Sequence, residues 1–269
     1  MTKAVKLRTK FGKTNIYSKK SPDANGRIFV IPGFSESLAH VKPVVDALVA
    51  EEFDAFTFSP PRRTPKINGK INPLDRQGEI TVEVLKSMLN DGEKVYVIAH
   101  SMGAAAALKA AQKHPDYFEG LILMQPAGIV GEQSVSELAK RASQKLVNNQ
   151  KIARQSKNNS LKRVVNTRFV NSAIIAKQPF LAWRELIATG HYDIQTDLRR
   201  VAEMGIPTHI VVSKYDEIFD HAKVELLFRP TIEKIVRSYT VLKEPVSNHD
   251  TFWIHPETTA EITKQKIHL

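Results

Sequence analysis

Val95-Tyr96-Val97-Ile98-Ala99 runs without a linker through His100-Ser101-Met102-Gly103 into Ala104-Ala105-Ala106-Ala107-Leu108-Lys109-Ala110-Ala111-Gln112-Lys113. Five apolar, β-favouring residues predict a buried strand, and the alanine-rich run predicts a helix over 104–113. Four residues must reverse the chain between them. Ala99 and Gly103 stand two positions either side of Ser101, a small-x-Ser-x-small pattern. A turn this tight would bring larger Cβ groups into collision, and it holds the serine in a strained conformation with Oγ exposed. The pentapeptide alone would equally suit a serine N-cap followed by a packing glycine. Its flanks, a strand before and a helix after, supply the context of a nucleophile on a strand-to-helix turn.

Outward from this junction, short β-rich runs alternate with longer helical patterns, which predicts an α/β fold with a mainly parallel sheet and helices on both faces. Val5–Thr9 and Thr14–Ser18 flank Phe11-Gly12-Lys13 and read as a hairpin. Arg27–Ile31, Phe53–Phe58, Leu121–Met124, Thr208–Val212 and Ser238–Leu242 read as further strands. Leu38, Val41, Val44, Val45 and Leu48 recur at helical spacing over 37–51, where Pro43 predicts a late start or a kink. Residues 61–79 read as loop, 80–89 as helix, and Pro256–Ile267 as a last helix. From 129 to 202 the composition turns Asn/Gln/Ser-rich and basic, with helical stretches at Ser136–Val147, Ser160–Phe169 and Pro179–Thr189.

A serine cannot act unaided, so its partners are sought after later strands. Past Thr208–Val212, the segment Ser213-Lys214-Tyr215-Asp216-Glu217-Ile218-Phe219 places acids where loops of open parallel sheets build sites. Asp216 is the candidate acid, with Asp220 and Glu217 as substitutes and a plain turn aspartate as the bland reading. Past Ser238–Leu242, Asn248-His249-Asp250 offers His249 as the candidate base, with His255 as its rival. The base needs Nε2 at the serine and Nδ1–H on the carboxylate. The order Ser101, Asp216, His249, each after a separate strand, makes coincidence less plausible for the three together than for any one.

Composition bounds the rest. The chain has 269 residues, 42% of them hydrophobic and 25% charged, which excludes disordered, collagenous and coiled-coil classes. No apolar run approaches the ~20 residues of a spanning helix, and no leader-like segment precedes the first strand, so the cytoplasm is the expected location. Zero cysteines excludes disulfides, thiolate metal sites and a Cys nucleophile. The net charge of +11 is concentrated in residues 1–20, with seven Lys/Arg, and in 129–200, with 13 Lys/Arg against 5 Asp/Glu. That charge suits a solvated basic face or peripheral contact with anionic lipid. Neither aromatic interleaving nor a recognisable module points to nucleic acid.

Taken together, Ile31-Pro32-Gly33-Phe34, Ala99 to Gly103, Tyr215-Asp216, and Asn248-His249-Asp250 followed by His255-Pro256-Glu257 resemble the α/β-hydrolase superfamily. The resemblance implies a core of residues 1–128 and 203–269, with a helical cap of 129–202 inserted after the sixth strand. It implies a serine hydrolase acting through an acyl-enzyme on Ser101, with the backbone N–H groups of Phe34 and Met102 as oxyanion hole and no metal or organic cofactor. Phe34, His100, Phe180 and Trp183 are expected to contact a small-molecule ester, with Phe169 and Leu186 also in the cap. A serine at the elbow tells against the superfamily's dehalogenases and epoxide hydrolases, which carry aspartate there. Carboxylic-ester hydrolysis is the leading expectation. Lysophospholipase or monoacylglycerol-lipase-like activity, acyl thioesterase, carbon–carbon hydrolysis and a non-catalytic ligand-binding role are the alternatives.

Overall fold

The computed structural model describes residues 2–61, 71–144, 179–243 and 248–268. Eight strands form one sheet: β1 (Thr2–Thr9), β2 (Gly12–Lys19), β3 (Arg27–Ile31), β4 (Asp54–Ser59), β5 (Val95–His100), β6 (Phe118–Met124), β7 (Thr208–Ser213) and β8 (Ser238–Leu242). Their spatial order is β1-β2-β4-β3-β5-β6-β7-β8. β1/β2 and β2/β4 pair antiparallel, and every other neighbour pairs parallel. The expected mainly parallel α/β sheet is therefore present, and β5 lies at its centre.

Alternation along the strands divides the core into two layers. Phe29, Ile31, Val97, Ala99, Leu121, Leu123, Ile210 and Val212 face one side, with α2 (Pro73–Met88), α3 (Met102–Lys113) and the helix Ile194–Glu203. Ile28, Val30, Ile98, Ile122, Met124 and Val211 face the other, with α1 (Leu38–Ala50) and the helix Pro256–Ile267. Phe29 stacks on Phe56 at 4.7 Å between ring centroids. Six alanines of α3 are fully or nearly buried, so this helix lies close to the sheet and to α2. A Cβ at Gly78 of α2 would stand 2.7 Å from Lys109 Cβ of α3, which explains a glycine inside a helix.

Three readings of the sequence change here. The α1 helix does not start late: it begins at Leu38, ahead of Pro43, which lies inside it. His40 at its third position accepts the Ser37 N–H at 3.1 Å, closing the first turn. Residues 73–79, expected as loop, form the first two turns of α2. Asn72 caps them by accepting the Leu74 N–H at 2.8 Å, and Pro73 occupies the first position, where it needs no donor. Thr251–Ile254 forms a short helix that no periodicity announced.

Between β6 and β7 the chain is helical at residues 135–144, Pro179–Gly190 and Ile194–Glu203. Pro179–Gly190 lies on α2, where the Gln77 amide donates to Glu185 Oε1 at 3.1 Å and Arg76 faces the same oxygen at 3.8 Å. The expected helix Ser160–Phe169, and Phe169 with it, falls outside the described residues. No helix among the described residues is long and apolar enough to cross a membrane.

Candidate active site

Ser101 occupies the turn between β5 and α3 with φ 51° and ψ −120°. A non-glycine residue here is strained, at a cost of about 1–3 kcal/mol, and the surroundings hold it. The Ser101 N–H donates to the Met124 carbonyl at 3.0 Å, and the Ser101 carbonyl accepts from Ala104 at 3.0 Å and Ala127 at 3.1 Å. The small flanks have a measurable reason. A Cβ on Gly103 would lie 2.6 Å from the Pro32 carbonyl oxygen and 2.8 Å from that of Ile31, so the loop after β3 packs directly on the start of α3. Beside the elbow, Gln125 also takes a left-handed φ of 41° and donates its N–H to the Val211 carbonyl at 2.8 Å.

Asp216 follows β7 in a turn fastened by its own carboxylate: Oδ1 accepts the N–H groups of Ile218 at 2.7 Å and Phe219 at 2.9 Å. Its other oxygen lies 2.9 Å from His249 Nδ1, and His249 Nε2 lies 3.0 Å from Ser101 Oγ. Both side chains are buried, so water does not compete for the contact. The His249 turn is fixed by Asn248, whose Oδ1 accepts the Asp250 N–H at 2.9 Å, and by Thr251, whose hydroxyl accepts the Asn248 N–H at 2.7 Å. Phe219 sets its ring edge-on to His249 at 5.1 Å.

The alternatives left open by spacing are separated by geometry. Glu217 accepts the backbone N–H of His249 at 3.3 Å, while Asp220 caps the following turn by accepting the Lys223 N–H at 3.2 Å. His255 begins the last helix, where its carbonyl accepts the Thr259 N–H at 3.1 Å. Asp216 and His249 are the pair that the structure brings to Ser101.

Other expected site residues are placed differently. His100 is not a substrate contact: it is buried, and both ring nitrogens are taken by protein, Nδ1 by Glu36 Oε1 at 2.6 Å and Nε2 by the His249 carbonyl at 2.8 Å. Phe180 and Trp183 are 74% and 54% exposed on the helix Pro179–Gly190. Leu186 of the same helix is half-buried against the core. Phe34 is half-buried in the turn after β3, and Met102 is buried at the first position of α3.

Sequence reasoning missed Glu36. This buried carboxylate accepts the Gly33 N–H at 2.6 Å through Oε2 as well as contacting His100. Its signal is faint, a lone acid three residues after a turn glycine. Among the described residues no group of three or more His, Asp or Glu could hold a metal ion.

Residues 74–243 match the family described as serine aminopeptidase, S33. No curated protein matches the sequence significantly. Among solved structures, a bacterial membrane phospholipase A is similar with a TM-score of 0.72 at 16% identity, covering 99% of this chain and 86% of that one. A bromoperoxidase from Bacillus anthracis gives 0.72 at 13% identity over 99% and 100% of the two chains. A thermophilic esterase from Thermogutta terrifontis gives 0.68 at 17% identity over 99% and 98%. At these identities the structures speak for the fold, and the family match, spanning more than half of the chain, speaks for the lineage. The chain belongs to the serine aminopeptidase S33 family of α/β hydrolases and is a serine-type α/β hydrolase.

Proposed function

We propose that this protein is a carboxylic-ester hydrolase that works without a cofactor through an acyl-enzyme on Ser101, with His249 as general base and acid and Asp216 as its orienting carboxylate. The observation that carries this reading is the continuous contact from Asp216 through His249 to Ser101 Oγ, at 2.9 and 3.0 Å, on a strained elbow. His249 Nε2 takes the Ser101 proton as Oγ adds to the ester carbonyl. Asp216 holds Nδ1–H, fixes the tautomer and stabilises the imidazolium. The same proton then passes from His249 to the departing alkoxide, and water repeats the cycle on the acyl-enzyme to release the acid.

The oxyanion is received by the backbone N–H groups of Met102 and Phe34. Met102 opens α3, so its amide belongs to the positive end of that helix. In the loop, the Gly33 amide is already committed to Glu36, which leaves the next amide, that of Phe34, for the ligand. The helix Pro179–Gly190 serves as part of a cap, fastened to the core where its Glu185 accepts from Gln77 of α2. Structures titled phospholipase A and esterase share this fold, and an ester makes the lesser demand on the triad because an alkoxide leaves with less help than an amine.

The test is hydrolysis of p-nitrophenyl esters of increasing acyl length by the wild type and by Ser101→Ala, alongside fluorophosphonate labelling. Turnover and labelling that both disappear in the variant support the reading. Equal activity in the two proteins, or labelling of the variant, would overturn it.

A further inference from the structure

The residue before the nucleophile and the turn after β3 meet in a buried pair that the reaction above does not use. The side chains of Glu36 and His100 are 6% and 2% exposed and approach to 2.6 Å. Glu36 spends one oxygen on His100 Nδ1 and the other on the Gly33 N–H, 2.6 Å away. The second ring nitrogen of His100 lies 2.8 Å from the backbone carbonyl oxygen of His249. One carboxylate therefore joins three parts of the site: the oxyanion loop, the nucleophile strand and the backbone of the base.

We propose that Glu36 and His100 form a buried ion pair at neutral pH, both ring nitrogens of His100 protonated, which positions His249 through its carbonyl and tunes its basicity. The proposal rests on the reading of His249 as general base, and it makes His100 a positioning residue. Its geometry is that of acceptors on both sides of one ring: a carboxylate at Nδ1 and a carbonyl at Nε2. A neutral imidazole has one N–H and one lone pair, so it would fit only if Glu36 carried the proton. Several features place that proton on the ring instead. The Gly33 N–H stabilises the ionised carboxylate. Burial alone would raise Glu36, but the charge and hydrogen bond of His100, with His40 beyond, hold its carboxyl below the ordinary value. Burial alone would lower His100, but Glu36, Asp250 and the His249 carbonyl together hold it above.

The ring has no room to rearrange. Phe252 stacks on it at 4.9 Å and 8°, and a Cβ on Gly33 would stand 3.1 Å from both Nδ1 and the carbonyl oxygen of His100. The His100 and His249 rings lie 5.0 Å apart; Glu36 meets His100 at Nδ1, and the His249 carbonyl meets it at the other ring nitrogen, Nε2. The cation therefore touches His249 directly while its counter-ion is bound at the opposite nitrogen, and it opposes protonation of the base. Asp216 and Glu217 face His249 from the loop after β7, and Asp250 adjoins it in its own turn; these carboxylates favour protonation. Removing the pair shifts this balance, and the acid limb of the rate profile moves upward by about half a unit to one unit.

Glu36→Gln isolates the charge. The new amide oxygen accepts the Gly33 N–H, its NH2 donates to Nδ1 of a neutral His100, and Nε2–H still donates to the His249 carbonyl. Every hydrogen bond survives and the ion pair does not. The primary measurement uses the unaltered chain: nitrogen-resolved NMR of the assigned His100 ring at about pH 7.5, a full unit above an ordinary histidine. Two protonated nitrogens are expected, and a ring with one proton overturns the proposal, whether or not the variant folds. In folded Glu36→Gln the ring should carry one proton, and the acid limb of kcat/KM should rise as stated with KM little changed. An unmoved acid limb would overturn the tuning of His249. If the hydrolase reading is what fails, Ser101→Ala retains activity while the His100 ring still shows two protons.

Discussion

Gly103→Ala is the sharpest trial of the way the elbow is built. Away from tertiary contacts, replacing a helical glycine by alanine gains about 1 kcal/mol of helix propensity. At position 103 the added methyl would meet the Pro32 and Ile31 carbonyl oxygens at 2.6 and 2.8 Å, where ordinary contact begins near 3.4 Å. Both obstacles are backbone, so the conflict of 0.6–0.8 Å has no side chain to absorb it. Overpacking of this kind costs about 1–3 kcal/mol, and set against the propensity gain it leaves a net loss of up to about 2 kcal/mol. The displaced segment is the one that carries Phe34, so the two oxyanion donors move apart together with the backbones. Loss of one such donor lowers kcat by about 10²–10³-fold, and the substitution should approach that while KM changes little. Urea unfolding and ester-hydrolysis kinetics on the same preparation measure both effects. A Gly103→Ala protein as stable as the wild type, with kcat within threefold, would refute the close packing of loop on helix as the reason for a glycine here.

Asp216→Asn should leave the fold intact and lower kcat by about 10⁴-fold, because an amide that donates to Nδ1 selects the wrong tautomer of His249; steady-state activity within tenfold of the wild type would assign the acid elsewhere. The Glu36–His100 pair should also be visible in stability against pH. Glu36 is held below 4.5, so its contribution is full above that value and lost as pH falls through the folded-state value. His100 is held above 6.5, so its contribution is full below that value and lost as pH rises through the folded-state value. Urea midpoints should therefore separate wild type from Glu36→Gln most between pH 4.5 and 6.5, and a difference constant from about pH 4 to 9 would contradict the ion pair.

The inner strands β3 to β7 were readable because each is a compact β-rich run largely buried on both faces. Pro256–Ile267 was readable for a different reason, a proline that fixes its first position. The beginning of α2 resisted because its polar residues are buried by distant partners. Gln77 meets Glu185, 108 positions along the chain, and the Arg76 guanidinium donates to the Pro61 carbonyl at 3.3 Å. Hydropathy assigns such residues to solvent. Within the site, Ser101 and His249 each stood at a recognisable place after a strand. Asp216, Glu217 and Asp220 lie within five consecutive positions, and which carboxylate reaches the ring depends on side-chain direction inside one turn. No periodicity encodes that.

His100 is instructive because its adjacency to Ser101 suggested a pocket residue while the alternation of β5 pointed away from one. Val97 and Ala99 face the layer of α2 and α3, and Ile98 faces the layer of α1 and the last helix. Period two puts His100 on the side of Ile98, and there its ring stacks on Phe252, a member of that same layer. Ser101 escapes the alternation only because φ turns positive at that residue. Two neighbouring polar residues thus separate, Ser101 turned to His249 Nε2 and His100 turned into the layer of α1 and the last helix. A histidine turned inward needs buried partners for both nitrogens, and a strand pattern cannot name them. Glu36 is 64 positions away and the His249 carbonyl 149. That separation is what lets one buried ring bind the turn after β3 to the loop of the base, and it is why the link becomes visible only once the chain has folded.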